Sequence, residues 1–79
     1  MQTGTTVLFN AQKGWGFIKD EDTGTEYFCH FSAILMDGYK KLDVGDEVTF
    51  DVETGPKGKP QACNVRVTRK AAHNGVPAY

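Results

Sequence analysis

Trp15, Phe17, Phe28 and His30 are the side chains best suited to act on a ligand, and they fall in two runs, KGWGF (13–17) and YFCHF (27–31). Within each run the rings stand two residues apart, with Lys13 and Lys19 flanking the first. This pattern suits single-stranded nucleic acid. Unpaired bases stack on aromatic faces, at about 1–3 kcal/mol per base, while ammonium groups follow the phosphates. A duplex hides its base faces, so such a surface selects unpaired strands. Every base has a π-face, so sequence preference is expected to be weak.

Other chemistries fit less well. Cys29 and His30 are adjacent, and adjacent residues of a strand point to opposite faces, so they form no nucleophile–base pair. Asp20, Glu21 and Asp22 read as a solvated charge run in a turn. Cys29, Cys63, His30 and His73 follow no metal-ligand spacing of a known type. We therefore expect no enzyme, no catalytic residue, no metal and no cofactor. Two cysteines outside any CxxC pair read as free, buried thiols.

The elements that must position the rings follow from the breakers. Gly4, Gly14, Gly16, Gly24, Gly38, Gly45 and the run GPKGKP (55–60) divide the chain into short segments rich in β-branched and aromatic residues. Thr5–Asn10, Gly16–Asp20, Glu26–His30, Glu47–Thr54 and Pro60–Arg69 each read as a strand. In Glu47–Thr54 the apolar Val48, Phe50 and Val52 alternate with polar neighbours, a period of two that buries one face. FSAILM (31–36) is long enough for one turn, of 3₁₀ type. Five short strands suggest a small closed barrel, which removes exposed edges.

The same period sorts the rings. Ile18 lies between Phe17 and Lys19, and Cys29 between Phe28 and His30. An aliphatic residue and a cysteine are the natural core members. Core packing is the ordinary explanation of an aromatic stripe, but here it would bury Lys19 without a partner, which is expensive. Trp15, Phe17, Phe28 and His30 are thus expected outside, with Lys13 and Lys19 at the rim. Gly14 and Gly16 are expected to leave the surface between the rings open to a ligand. The turn Glu21–Thr25 is short enough to make the two runs an antiparallel hairpin.

Bulk properties agree. Seventy-nine residues make one small domain, with room for a thin core and no deep cleft. Net charge is −1, so a nucleic-acid face must come from segregating charge rather than from excess. No apolar run approaches the roughly 20 residues that span a membrane. The start MQTGTTVLFN resembles no secretory signal, so a cytoplasmic monomer without a small-molecule substrate is expected. The domain is expected over 1–69, with a flexible tail over 70–79.

The ordered motifs resemble the bacterial cold-shock protein family. KGWGFI (13–18) is similar to its first ribonucleoprotein motif and YFCHF (27–31) to its second. The resemblance continues through SAI (32–34), DGYKKLDVGDEVTFDV (37–52) and GPKGKPQACNV (55–65). It implies an all-β, five-stranded antiparallel OB-fold barrel that binds single-stranded, often pyrimidine-rich, RNA or DNA. Activity as an RNA chaperone, with roles in transcription, translation or cold adaptation, is implied with it. Stacking groups at matching positions are Trp15, Phe17, Phe28, His30, Phe31 and Tyr39. Phe9, Asn10, Lys13, Lys40 and Lys57 match positions lining or flanking that surface, and Asp20, Glu26 and Gln61 match nearby polar ones.

One stretch departs from the pattern. The family commonly reads KVKWFN where this chain reads TTVLFN (5–10), so Leu8 stands for a stacking tryptophan and Thr5 and Val7 for lysines. That change leaves a rival reading, a protein-interaction module on a barrel with a weakened nucleic-acid face. A second rival is a ribosome-associated OB domain for structured RNA.

Overall fold

A computed structural model of the chain describes residues 1–36, 38 and 40–71. Tyr39 and most of the expected tail, residues 72–79 with His73, lie outside the described residues. The strands are β1 (Gln2–Asn10), β2 (Trp15–Asp20), β3 (Glu26–His30), β4 (Glu47–Thr54) and β5 (Pro60–Arg69). A 3₁₀ turn, Phe31–Ala33, follows β3. The strands close into a barrel in the order β1-β2-β3-β5-β4.

Neighbours β1–β2, β1–β4, β2–β3 and β4–β5 run antiparallel. The closure is different: β3 and β5 run parallel and share the pair Phe28–Gln61. A parallel bridge between Ile34 and Val65 extends that closure. β1 starts earlier than its composition suggests because its first half pairs with β4, from Gln2 opposite Phe50 to Thr5 opposite Glu47. Gly4 lets the same stretch lie close against β2 as well. A Cβ there would stand 2.6 Å from the Lys19 carbonyl oxygen and 2.8 Å from Ile18 Cγ2.

Alternation fills the barrel. Ile18, Cys29, Ile34, Leu42, Val48, Phe50, Ala62 and Val65 form one buried cluster, with Phe9, Tyr27, Val52 and Val67 packed partly against it. Tyr27 meets Phe50 with ring centroids 5.7 Å apart. Bulges in β1 and β5 interrupt the period. In β1 the register shifts between Thr6 and Leu8. In β5 the inward Ala62 and Val65 are three apart, and Asn64 between them takes φ 50°.

Three expectations are corrected here. Cys63 is half-buried, because the β5 bulge leaves it at the barrel margin opposite Asp51. Asp20 is not solvated: it is 2% exposed and accepts from the backbone N–H of Asp22 and Thr23 and from the Gln2 amide. Its carboxyl is held below the usual range by the Gln2 amide first and those backbone donors next. Gly16 does not open a ligand surface. A Cβ there would lie 2.1 Å from the Leu8 carbonyl oxygen, so the glycine is required by the close approach of β1.

Candidate nucleic-acid interface

Strand register converts the two aromatic runs into a grid. Asn10, Trp15 and His30 lie side by side on β1, β2 and β3. One step along the strands, Leu8, Phe17 and Phe28 lie side by side, with Gln61 of β5 next in line. A further step brings Thr5, Lys19 and Glu26 into register. Because successive residues alternate faces, the outer face carries these rows while Ile18 and Cys29, both fully buried, hold the sheet to the core.

The rings support one another. Trp15 stacks near Phe28 with centroids 6.2 Å apart and planes 27° from parallel. Phe17 meets both edge-on, at 5.9 Å from Trp15 and 6.1 Å from Phe28. Such offset and edge-on contacts stabilise a cluster of half-exposed rings without burying their free faces. All three are half-buried, so each presents a face to solvent.

Beyond β3 the chain turns so as to extend this surface. His30 Nδ1 accepts from Ser32 N–H at 3.3 Å and lies 2.9 Å from the Ser32 hydroxyl, which caps the 3₁₀ turn. The cap sets Phe31, 44% exposed, beside His30 with ring centroids 4.6 Å apart. Phe31 is the residue that strand periodicity could not place, since it lies in the turn. Behind it, Gly14 at φ +78° holds the ring from below.

Two depressions flank the rings. One is lined by Gln12, Lys13, Gly14, Phe31, Gly38 and Lys40. The other is lined by Phe17, Phe28, Pro56, Lys57, Lys59 and Gln61. Each thus joins an aromatic ring to two lysines. Lys59, Pro56 and Gln12 were not among the residues expected from sequence. The signal for Lys59 was its spacing of two from Lys57 on one tight turn, where Gly55 N–H donates to the Lys59 carbonyl at 2.7 Å.

Other expected residues have narrower places. Phe9 is half-buried and packs against the core on the Gly16 side. Asn10 shapes the β1–β2 turn: its Oδ1 accepts from Lys13 N–H at 3.0 Å and its carbonyl from Gly14 N–H at 2.7 Å. Gln61 donates to Glu53 at 3.3 Å. Lys19 is exposed at the margin of the rings.

The geometry bears on catalysis as well. Burial pushes the Cys29 thiol up to about 12, and His30 occupies the opposite face, so the two do not act on one substrate. Among the described residues no three His, Cys, Asp or Glu side chains gather as metal ligands. No helix among them is long and apolar enough to cross a membrane.

With this geometry in hand, the chain can be set beside known proteins. The profile of the 'Cold-shock' DNA-binding domain matches residues 2–68. Cold shock protein 2 of Lactiplantibacillus plantarum is 58% identical over 66 residues, covering 84% of this chain and 97% of its own. Cold shock protein CspC of Bacillus subtilis is 54% identical over 66 residues, with the same coverage of both chains. The cold shock-like protein CspD of Vibrio cholerae is 44% identical over 72 residues, 91% of this chain and 95% of its own.

Proposed function

This chain belongs to the cold-shock domain family, and from that premise we propose that it binds unpaired RNA or DNA by base stacking on the outer face of β2 and β3. The observation that carries the reading is the registered grid of Trp15, Phe17, Phe28 and His30, backed by the fully buried Ile18 and Cys29. Trp15, Phe17, Phe28, His30 and Phe31 supply the stacking faces, and Tyr39 joins them from its matching position in the sequence. Lys13, Lys19, Lys40 and Lys57 supply charge, with Lys59 added by the second depression. Phe9 and Asn10 support this face from the end of β1.

Binding of unpaired strands draws RNA away from its paired states by mass action, without ATP and without a chemical step. That is the action of an RNA chaperone, and it suits a cytoplasmic monomer working in cold adaptation. Family membership favours this reading over a peptide-binding groove. We take the working domain to run two residues past the expected boundary at 69, because Lys70 and the buried Ala71 both bond to Asp46, with the appended tail following.

The test is fluorescence of Trp15, the chain's only tryptophan, titrated with a short oligothymidine at two salt concentrations. Strong quenching that weakens with salt is expected, since counterion release accompanies phosphate contacts. Unchanged emission from the folded barrel would overturn the reading.

A further inference from the structure

The bulge in β1 gives one end of the aromatic grid a different chemistry. Val7 and Leu8 are consecutive, yet both face solvent, 37% and 46% exposed. Regular alternation would turn one of them inward; the register shift between Thr6 and Leu8 prevents it. Leu8 stands opposite Phe17, which stands opposite Phe28, so the aliphatic pair continues the aromatic row onto the next strand.

The β1 side chains here are poorly suited to phosphate, and the cation of the adjoining row, Lys19, belongs to β2. Val7 and Leu8 carry no donor, and the neighbouring Thr5 hydroxyl is directed at the Glu21 carboxylate, 3.5 Å away. Nor do aliphatic side chains offer a π-face for stacking. Their contribution to binding is apolar contact, and the apolar group that a natural DNA base projects from its edge is the C5-methyl of thymine.

We propose that Val7 and Leu8 form an aliphatic ledge that reads the C5-methyl of a pyrimidine beside the base stacked on Phe17. The ligand class follows. At this position the chain prefers thymine to uracil. Removing one methyl carbon from water corresponds to about a fourfold change in affinity. The inference rests on the stacking surface proposed above, because the ledge is useful only if a strand lies along the row.

The experiment compares oligothymidine with oligodeoxyuridine of equal length, so that the sugar and backbone are the same and only the methyl differs. Trp15 emission reports both titrations, in the unaltered chain and in Leu8→Ala, with thermal melting to establish that the variant folds. Methyls over the aromatic rings contribute to the thymine–uracil ratio in both proteins. The change in that ratio is therefore the decisive quantity. Leu8→Ala is expected to weaken thymine binding about fourfold more than uracil binding. A ratio unchanged by Leu8→Ala, with both oligonucleotides still bound, would overturn the ledge and leave the stacking surface standing. Failure of the unaltered chain to bind either oligonucleotide would bring down the stacking surface and the ledge together.

Discussion

The Phe31 ring rests on the bare Cα of Gly14: a Cβ at position 14 would come within 2.8 Å of Phe31 Cδ1. The backbone closes the same contact, with Phe31 N–H donating to the Gly14 carbonyl at 2.8 Å. At φ +78° only glycine is comfortable at position 14. Gly14→Ala should therefore act twice, through backbone strain of about 1–2 kcal/mol and through displacement of a ring from the binding face. Chemical denaturation and an oligothymidine titration of one variant measure the two effects. Loss of stability with unaltered affinity would show that Phe31 takes no part in binding.

Phe17 and Phe28 should separate binding from folding. Each is half-exposed, but Phe17 touches two rings, so Phe17→Ala should lose about 1–2 kcal/mol of stability from ring contacts. The buried Phe50, 1% exposed, should lose about 3–5 kcal/mol when truncated to alanine. For binding the order reverses: Phe17→Ala and Phe28→Ala should each cost about 1–3 kcal/mol. Urea melts and fluorescence titrations side by side would check both rankings.

Asp46 ties the start of β4 to the residues that follow β5. Its buried carboxylate accepts from Asp43 N–H at 3.0 Å, Ala71 N–H at 2.8 Å and Lys70 Nζ at 2.9 Å. Burial opposes its ionisation, yet these donors outweigh burial and hold the carboxyl below the usual range. A carboxyl lowered by folding stabilises the native state fully above its unfolded pKa and loses that contribution as pH falls through the folded value. The chain should accordingly weaken below about pH 4. Asp46→Asn should lose about 2 kcal/mol at neutral pH and show a flatter decline in acid. Melting temperature as a function of pH decides it.

The lysines of the Gly55–Lys59 turn should show themselves in salt dependence. If Lys57 and Lys59 each neutralise one phosphate, replacing either by alanine lowers the slope of log affinity against log salt by about 0.7 for a single strand. An equal slope in the variants would move the phosphate path away from this depression.

Thr6 carries a hydroxyl that is 1% exposed and has no hydrogen-bond partner among the described residues. A buried, unsatisfied polar atom costs about 1–3 kcal/mol. Thr6→Val keeps the shape and should raise stability by about 1 kcal/mol, read as a higher denaturation midpoint.

What the sequence determined by itself was local and periodic. The bounds of β3, β4 and β5, the inward Ile18 and Cys29, and the outward Trp15, Phe17, Phe28 and His30 follow from a side-chain period of two, which needs no knowledge of neighbours. Motif order was equally legible, because the rings and glycines keep their spacing along the chain. Tertiary structure decided the features that depend on which strands meet. The parallel closure of β3 on β5, which aligns Phe28 with Gln61, rests on a barrel that shuts only when distant segments pair. The bulges that expose Val7 beside Leu8 and leave Cys63 half-buried come from register, which strand composition does not encode. Glycine roles were least legible. Gly16 is required by the Leu8 carbonyl and Gly14 by the Phe31 ring, and each approach brings together residues that sequence spacing alone does not place in contact.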